Sequence, residues 1–379
     1  MEYLGFHKIG GSGKTGGSDN LAAPDDTMAD TSLSLEEALA LLAEHASAAD
    51  TRPAWPAASW DALRRAGVLG WAVPRAYGGE ERSPLDLLEG YGRLAGACLT
   101  TCFLLSQRDA ACRRLRDSSH EALCRELFPA LARGERFATV GLAQLTTSRQ
   151  HVRPVLTARR AGDAFRLDGV MPWVTGAPHA DHFLTGAVLD DGLQVLLVVP
   201  RDTPGLTVSP PLDLMALQGS LTGAVRCDNV VVEGKWVLAG PAERVMPPGR
   251  GAGSLETSTL ALGLARSAVA YLQAEAPKRP ELRGSADAFA RSWQVLHDRL
   301  RDLTGPDGTP EAAARLRAQA NALVLRGTQL ALAAAKGTGF VHPHPTQRWA
   351  RQALFFLVWS CPRPALEGTL AHLQPPPVD

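Results

Sequence analysis

Three short segments of this 379-residue chain carry residue types that can do chemistry together. Glu256 stands at the start of a long apolar, helix-forming run, where a carboxylate can serve as a general base. Residues 173–175, Trp-Val-Thr, offer an aromatic wall beside a hydroxyl donor, which suits one edge of a planar cofactor. Residues 337–340, Gly-Thr-Gly-Phe, predict a turn in which missing side chains let a phosphate approach the backbone. Their order and spacing predict an enzyme site.

The spacing of apolar residues changes twice along the chain and divides it into three parts. Intervals of three and four over residues 33–136 predict an N-terminal helical domain. Alternation over 137–240, broken by Gly, Pro and Asp turns, predicts a small β-barrel or sandwich. The helical spacing returns over 250–379 and predicts a helix bundle. Residues 1–32 are rich in Gly, Ser, Asp and Pro, which is typical of a disordered leader. The predicted fold class is therefore α+β with several domains.

Composition and charge exclude several classes of protein. Lys plus Arg and Asp plus Glu are balanced at 39 each, so no charge excess favours nucleic acid or an anionic membrane as partner. No apolar run approaches the ~18 residues of a membrane-spanning helix, and the N-terminus lacks the apolar stretch of a signal peptide. The six cysteines include no Cys-x-x-Cys pair. We therefore expect reduced thiols, no metal site and a cytoplasmic location.

Several motifs make the chain similar to a known family. Residues 73–79, Val-Pro-Arg-Ala-Tyr-Gly-Gly, match a Pro-x-x-Tyr-Gly-Gly loop, and residues 168–175 partly match a Gly-x-Lys-x-Trp-Ile-Thr segment. Residues 336–353 keep the register of a Gly-Gly-x-Gly-Phe turn that is followed by Pro and then by Arg-Asp-Ala. Together with the order of helices, strands and helices, these motifs resemble the acyl-CoA dehydrogenase family over roughly residues 34–373.

The resemblance implies bound FAD and indicates its contacts. Trp173 would pack on the flavin, and Thr175 would hydrogen-bond the N5 edge of the ring. The turn of Gly337, Gly339 and Phe340 would approach the pyrophosphate of a neighbouring subunit's FAD. This arrangement implies a homo-oligomer, either a dimer or a tetramer.

The resemblance also assigns roles to residues 142–149, where the family has a segment that contacts flavin and acyl-CoA. Leu142 and Gln144 would contact the flavin, although Ala143 between them replaces a flavin-contacting Thr. Ser148 and Arg149 would face the substrate, with Arg149 as partner for a phosphate or a carboxylate.

One further departure concerns the FAD pyrophosphate. The family's Arg-x-x-Phe-Gly motif is missing after the first bundle helix, and Arg283 is the nearest candidate for its arginine. Ala333 stands where the family has a Gln that precedes the glycine turn. Both changes weaken the expected hold on the cofactor.

The usual position of the catalytic base holds no acid in this chain. In most of the family, the Glu of a Glu-Gly-Thr motif follows the Arg of Arg-Asp-Ala by nine residues, and here that position is Ser360. Glu367 begins a Glu-Gly-Thr motif seven residues later, but Pro362 and Pro364 end the helix that would present it.

A second subgroup, which resembles isovaleryl- and long-chain enzymes, keeps its base at the start of the first bundle helix. That position is Glu256 here, and Thr257 replaces the Arg that normally follows it on the substrate side. Burial beneath flavin and acyl chain would raise the pKa of Glu256, and the helix N-terminus would lower it. A first-turn acid that complements the helix dipole is the alternative role for Glu256.

The resemblance thus implies a FAD-dependent oxidoreductase that dehydrogenates the α,β bond of an acyl-CoA thioester. Glu256 would take the α-proton, the flavin would accept the β-hydride, and an electron-transfer flavoprotein would receive the electrons. Two alternatives stay open. A flavin monooxygenase with the same fold needs no carboxylate base, which fits Ser360. A non-catalytic binding or scaffold subunit fits the departures at Ala143 and Ala333.

Overall fold

In the computed structural model, five helices precede the first strand. They are α1 (Leu35–Thr51), α2 (Ala57–Arg65), α3 (Pro84–Ala97), α4 (Leu99–Asp117) and α5 (Glu121–Arg133). Ser34 begins α1 with a capping box, in which Ser34 and Glu37 satisfy each other's backbone N–H groups. The structure describes residues 32–118, 120–146, 155–246, 255–305, 308–360 and 363–374. The candidate substrate residues Ser148 and Arg149 lie outside these residues, as does almost all of the leader predicted for 1–32.

Within the described residues, the central part of the chain forms one eight-stranded sheet. Its strands are β1 (Ala138–Gly141), β2 (Leu156–Ala161), β3 (Ala164–Val174), β4 (His182–Leu189), β5 (Gln194–Pro200), β6 (Leu206–Val208), β7 (Gly223–Val232) and β8 (Val237–Ala242). They lie in the order β6-β7-β3-β2-β4-β5-β8, and β1 pairs with β4 in parallel.

One strand is shorter than the alternation predicts. The pattern indicates a strand over 137–145, but β1 ends at Gly141 and a short helix, α6 (Ala143–Thr146), follows it. The Gly141 carbonyl accepts hydrogen bonds from the side chains of Gln144 and Thr185. Side chains thus take over the pairing where the ladder ends, and the backbone is free to turn.

The C-terminal part of the described chain is helical. Its helices are α7 (Leu255–Glu275), α8 (Arg283–Asp302), α9 (Pro310–Gly339), α10 (Pro345–Leu354) and α11 (Arg363–Leu373). The spacing of apolar residues predicts one helix over 346–360. In the structure α10 ends at Leu354, and the chain continues as a 3-10 turn, Phe355–Leu357. The prolines after it were expected only to end a helix, whereas Pro364 lies in the first turn of α11, where no backbone N–H is needed.

Close backbone packing joins the two helical parts. A Cβ added to Gly263 of α7 would lie 2.4 Å from the Gly92 carbonyl oxygen of α3, so only glycine permits this approach. One apolar core then contains residues of α1, α3, α4, α7 and α9. The chain divides into two compact units, Met1–Ser32 and Leu33–Asp379. The structure describes only Ser32 of the first unit. The predicted fold class, helical domain, sheet domain and helix bundle, is confirmed.

Candidate active site

Glu256 is the second residue of α7 and contacts α4. Its Oε1 lies 2.8 Å from Nη2 of Arg113, and the two side chains are 31% and 17% exposed. Burial on its own lowers the pKa of Arg113, but Glu256, Tyr91 and Asp109 together outweigh it and hold that pKa above its ordinary value. The sequence predicted Glu256 as the base but gave no sign of this arginine partner.

Arg113 belongs to a network of buried polar groups between α3, α4 and α5. Its Nη1 donates to the Tyr91 hydroxyl at 3.4 Å, and that hydroxyl donates to Oδ2 of Asp109 at 2.6 Å. Arg108 donates to Oδ1 of Asp109 at 2.6 Å and to the Leu131 carbonyl at 2.5 Å. Burial raises the pKa of Tyr91 well above its ordinary value, with Asp109 adding to the effect, so the phenol stays protonated and keeps its donor. The network fixes the position of Arg113.

The Trp173 indole lies on an irregular end of β3. The register against β7 shifts between Met171 and Val174, and Trp173 adopts a positive φ of 56°. This bulge turns the indole outward, so that 59% of Trp173 is exposed. A non-glycine residue with positive φ stores strain that is common at functional sites. The described chain leaves the aromatic face uncovered, as the expected flavin contact requires.

Thr175, in contrast, is 2% exposed and hydrogen-bonded within the protein. Its hydroxyl lies 3.3 Å from the Thr222 hydroxyl, which in turn lies 2.9 Å from the hydroxyl of Ser220. Its carbonyl accepts from the Thr139 hydroxyl of β1 at 2.8 Å. The neighbouring Gly176 N–H donates to the Ser220 carbonyl at 2.8 Å. Two contacts therefore connect Thr175–Gly176 to Ser220 and Thr222.

The two candidate flavin contacts after β1 face the protein interior. Leu142 is 6% exposed and packs with the apolar side chains of α4 and α5. The Gln144 amide group donates to the Gly141 and Gly186 carbonyls at 2.9 and 2.8 Å and to the Thr185 hydroxyl at 3.1 Å. Its Oε1 is buried without a hydrogen bond. This geometry favours a structural role for the Gln144 side chain.

Residues 337–340 form a turn at the end of α9, and a kink separates this turn from the rest of the helix. Lys336, just before them, adopts φ 55° and ψ −149°, which kinks the helix. A Cβ on Gly339 would lie 2.5 Å from the Ala335 Cβ and 2.7 Å from Oγ1 of Thr346, so Gly339 is required for internal packing. A Cβ on Gly337 would meet no atom within 4 Å. Phe340 is 79% exposed, so the open face of this segment is formed by Gly337 and Phe340.

Arg283, proposed for the pyrophosphate, begins α8 and is exposed. A different arginine contacts α9 shortly before the glycine segment. Arg279 donates from Nη1 to the Ala334 carbonyl of α9 and from Nε to Glu281 at 3.3 Å. The sequence does not reveal this contact, because it joins the connection between α7 and α8 to α9 across 55 residues.

The two other positions considered for the base lie around α11. Ser360 follows the 3-10 turn and has a positive φ of 43°. Glu367 lies inside α11 and is exposed, whereas Thr369 of the same Glu-Gly-Thr motif is buried and accepts a hydrogen bond from Asn321 at 3.3 Å. Thr257, next to Glu256, is 3% exposed.

An unpredicted carboxylate, Asp50, joins three parts of the chain. It is 0% exposed at the end of α1, and its Oδ1 accepts from the Leu217 backbone N–H at 2.9 Å and from the Gln352 amide at 2.8 Å. Oδ2 makes an ion pair with Arg351 at 2.7 Å. Leu217 is three residues before Ser220, and Arg351 lies in the helix that follows Gly339. Asp50 therefore connects the Trp173 side of the site with its glycine side.

Helix α4 contacts several of these regions. Its Leu104 would meet a Cβ on Gly176 at 3.2 Å, and its Phe103 packs edge-on against Phe355 and Trp359, with ring centroids 4.9 Å apart in both pairs. Its C-terminal half packs with Leu142 and carries Arg113. Among the described residues, no helix has the length and apolar character of a membrane span, and no three His, Cys, Asp or Glu side chains gather as a metal site.

Two family models match this arrangement. One is described as acyl-CoA dehydrogenase, N-terminal domain, and covers residues 35–135; the other is described as acyl-CoA dehydrogenase, middle domain, and covers residues 146–230. This chain belongs to the acyl-CoA dehydrogenase family. The first match includes α4 with Arg113, and the second includes Trp173 and Thr175. The family is that of a flavin oxidoreductase.

Relatives agree over most of the chain at low identity. YngJ of Bacillus subtilis (strain 168), described as a probable acyl-CoA dehydrogenase, is 24% identical over 337 residues, which are 82% of this chain and 88% of the relative. Butyryl-CoA dehydrogenase from Megasphaera elsdenii has a TM-score of 0.79 at 18% identity, over 89% of this chain and 97% of that chain. A glutaryl-CoA dehydrogenase from Mycobacterium smegmatis in complex with FADH2 has a TM-score of 0.76 at 19% identity, over 92% and 95%.

The described residues fit a flavin at two places. The Trp173 indole offers an aromatic face that the chain itself leaves uncovered, and the open side of Gly337 leaves room for a group beside the backbone. The Gln144 amide group hydrogen-bonds within the protein, and the Arg283 side chain is exposed. Neither arrangement adds a contact for a flavin.

Proposed function

We propose that this protein is a FAD-dependent dehydrogenase that oxidises the α,β bond of an acyl-CoA thioester and passes the electrons to an electron-transfer flavoprotein. The observation that carries the proposal is the position of Glu256, which stands at the start of α7 and is held by Arg113 of α4. Family membership and the uncovered Trp173 indole support it. When bound, the flavin supplies the acceptor for the hydride that leaves the β-carbon.

The residues of this chain have distinct tasks in the proposal. Glu256 accepts the α-proton of the thioester, and the network behind Arg113 fixes where that carboxylate stands. Trp173 excludes water from one side of the flavin, and Thr175 with its hydroxyl partners fixes the backbone beside it. Gly337 and Phe340 present the open end of α9 to a second subunit's cofactor, so the proposed state is a homo-oligomer.

The test compares Glu256→Gln with Glu367→Gln under anaerobic conditions. Gln keeps the size and hydrogen bonding of Glu256 but accepts no proton, so bleaching of the flavin by acyl-CoA should slow at least ~100-fold while flavin content stays unchanged. Glu367→Gln should bleach normally, because Glu367 is exposed on α11. The reverse pattern would identify Glu367, and not Glu256, as the base.

Two other outcomes identify the alternative functions. If neither variant changes the rate of flavin bleaching, and the reduced flavin consumes oxygen, the protein is a monooxygenase of the same fold. If the purified protein has no flavin absorbance and takes up none, the scaffold function replaces the dehydrogenase.

A further inference from the structure

Arg113 has two carboxylates near it, Glu256 on α7 and Asp109 on its own helix. Asp109 and Arg113 stand four residues apart on α4, the spacing at which an acid and a base on a helix usually pair. Among the described residues, Arg113 nevertheless makes its ion pair with Glu256 and none with Asp109. Asp109 still attracts Arg113, since its charge helps to raise the pKa of that guanidinium. Another group must therefore satisfy Asp109.

The Tyr91 hydroxyl of α3 is that group. Oδ1 of Asp109 accepts from Arg108, and Oδ2 accepts from the Tyr91 hydroxyl, each at 2.6 Å. The contact from Arg113 to the Tyr91 oxygen is long, at 3.4 Å, so the hydroxyl acts chiefly by occupying Oδ2. Tyr91 and Asp109 are both 0% exposed, so bulk water does not compete for this oxygen.

Loss of the hydroxyl would leave Oδ2 of Asp109 buried without a donor. A buried carboxylate oxygen without a hydrogen bond is costly. Arg113, one turn further along α4, can lower this cost by turning from Glu256 to Asp109. Glu256, whose side chain is 31% exposed, would then lose the ion pair that fixes its carboxylate.

We propose that Tyr91 is a positioning residue, whose hydroxyl keeps Asp109 from drawing Arg113 away from Glu256. The base of the proposed reaction thereby depends on a buried hydroxyl of another helix. This inference rests on the proposed dehydrogenase function for the role of Glu256, and it adds a residue of α3 to the site.

A stability cycle measures whether Arg113 is still paired with Glu256. Arg113→Gln, Glu256→Gln and the double variant are unfolded in urea in three backgrounds, which are wild type, Tyr91→Phe and Tyr77→Phe. In the wild type, the pair should appear as a ~2- to 5-fold departure from additivity in the unfolding equilibrium constant. Tyr91→Phe should abolish this coupling, and equal coupling in all three backgrounds would overturn the proposal.

Tyr77→Phe is the matched control for this cycle. The Tyr77 ring stacks on Phe128, with ring centroids 5.3 Å apart, and among the described residues its hydroxyl makes no hydrogen bond. Removal of this hydroxyl should therefore leave the coupling between Arg113 and Glu256 unchanged.

A rescue variant separates competition from a merely structural role of Tyr91. Tyr91→Phe/Asp109→Asn lacks the competing charge, so the coupling between Arg113 and Glu256 should return. Coupling that stays lost would assign the effect to packing of the Tyr91 ring and would overturn the proposal. This variant also decides the point if Tyr91→Phe alone does not fold, because Asp109→Asn should show the same coupling with and without Tyr91→Phe.

The flavin-loaded protein supplies the functional measurement, with the member of a series from butyryl-CoA to octanoyl-CoA that bleaches the wild-type flavin fastest. Tyr91→Phe should lower kcat about 10- to 100-fold and leave KM unchanged, because a displaced base slows the reaction and the buried hydroxyl contacts no substrate. Asp109→Asn should restore kcat to Tyr91→Phe, and Tyr77→Phe should keep the wild-type kcat. A wild-type kcat in Tyr91→Phe, together with lost coupling, would contradict a positioning role.

Failure of the dehydrogenase function is distinguishable from failure of this inference. If no acyl-CoA bleaches the wild-type flavin, the proposed function fails, but the stability cycle needs no substrate. Coupling that is lost in Tyr91→Phe and kept in Tyr77→Phe still supports the control of Arg113 by Tyr91, and coupling that is kept in both contradicts it.

Discussion

Lys336 occupies a backbone conformation that glycine adopts readily and lysine does not. Its φ of 55° and ψ of −149° fall where a Cβ is strained, at the kink before Gly337. The strain of such a residue costs about 1–3 kcal/mol, and replacement by glycine relieves it. Part of this stabilisation is lost because glycine makes the unfolded chain more flexible. Lys336→Gly should therefore stabilise the protein by roughly 1 kcal/mol in urea unfolding. Lys336→Ala, which keeps the Cβ, should bring no such gain, and equal effects of both variants would contradict the strain.

The two glycines after Lys336 should respond differently to substitution. Gly339→Val should destabilise the fold, because its Cβ would press on Ala335 and Thr346. Gly337→Val has open space around the new side chain, so the fold should survive while flavin binding is lost. Melting temperature and bound flavin after gel filtration measure both effects. If Gly337→Val keeps its full flavin content, this segment is not part of the cofactor site.

At the scale of elements, Asp50 connects α1, α10 and the segment before β7. Asp50→Asn leaves Arg351 without its buried carboxylate, and breaking a buried pair in this way costs about 3 kcal/mol. Asp61→Asn is the matched control, because Asp61 pairs with Arg64 on the exposed side of α2 and is 46% exposed. Its loss should cost about 0.5 kcal/mol or less. Urea unfolding measures the loss of stability in both variants, and equal losses would contradict a connecting role for Asp50.

The elements themselves were predictable wherever local pattern decides them. The helices before β1, the alternating strands and the bundle helices all follow from apolar spacing, and the fold class follows from their order. α11 was missed because Pro364 was interpreted only as a helix end, although proline is equally suited to a first turn. β1 was predicted too long because the bonds that end it come from side chains, including one on β4.

Candidate site residues were less predictable than the elements. Glu256, Trp173 and the glycines were predicted because each belongs to a motif with a fixed register in the sequence. Arg113 and Asp50 belong to no such motif, and their partners lie on other elements. A periodic pattern reports that a side chain faces the core, but the partner across the core is a property of the tertiary fold. Gln144 shows the converse, since its motif position suggested a cofactor and its contacts lie in the sheet.

At the scale of the whole molecule, the exposed end of α9 predicts assembly. Phe340 and Val341 are 79% and 62% exposed, which is unusual for adjacent apolar side chains unless a partner covers them. Phe340→Asp should shift the protein toward monomers in light scattering and reduce its bound flavin, because a charge in an apolar interface is costly. Val231→Asp, on an exposed face of β7 at 43% exposure, should leave the mass unchanged. A wild-type protein that is monomeric with full flavin would contradict the shared cofactor site.

The bonds of Asp50 also set an order of events during synthesis. The Leu217 N–H that Asp50 binds comes 167 residues later in the chain, and the Gln352 amide comes 302 residues later. At ~5–20 residues per second, a ribosome needs roughly 15–60 s to cover the longer interval. Throughout that time the nascent helices before β1 carry a carboxylate that cannot be buried without its cation, Arg351. The connection that Asp50 makes between the two sides of the candidate flavin site therefore forms only after Arg351 has left the ribosome, and a nascent chain interrupted before Arg351 lacks it.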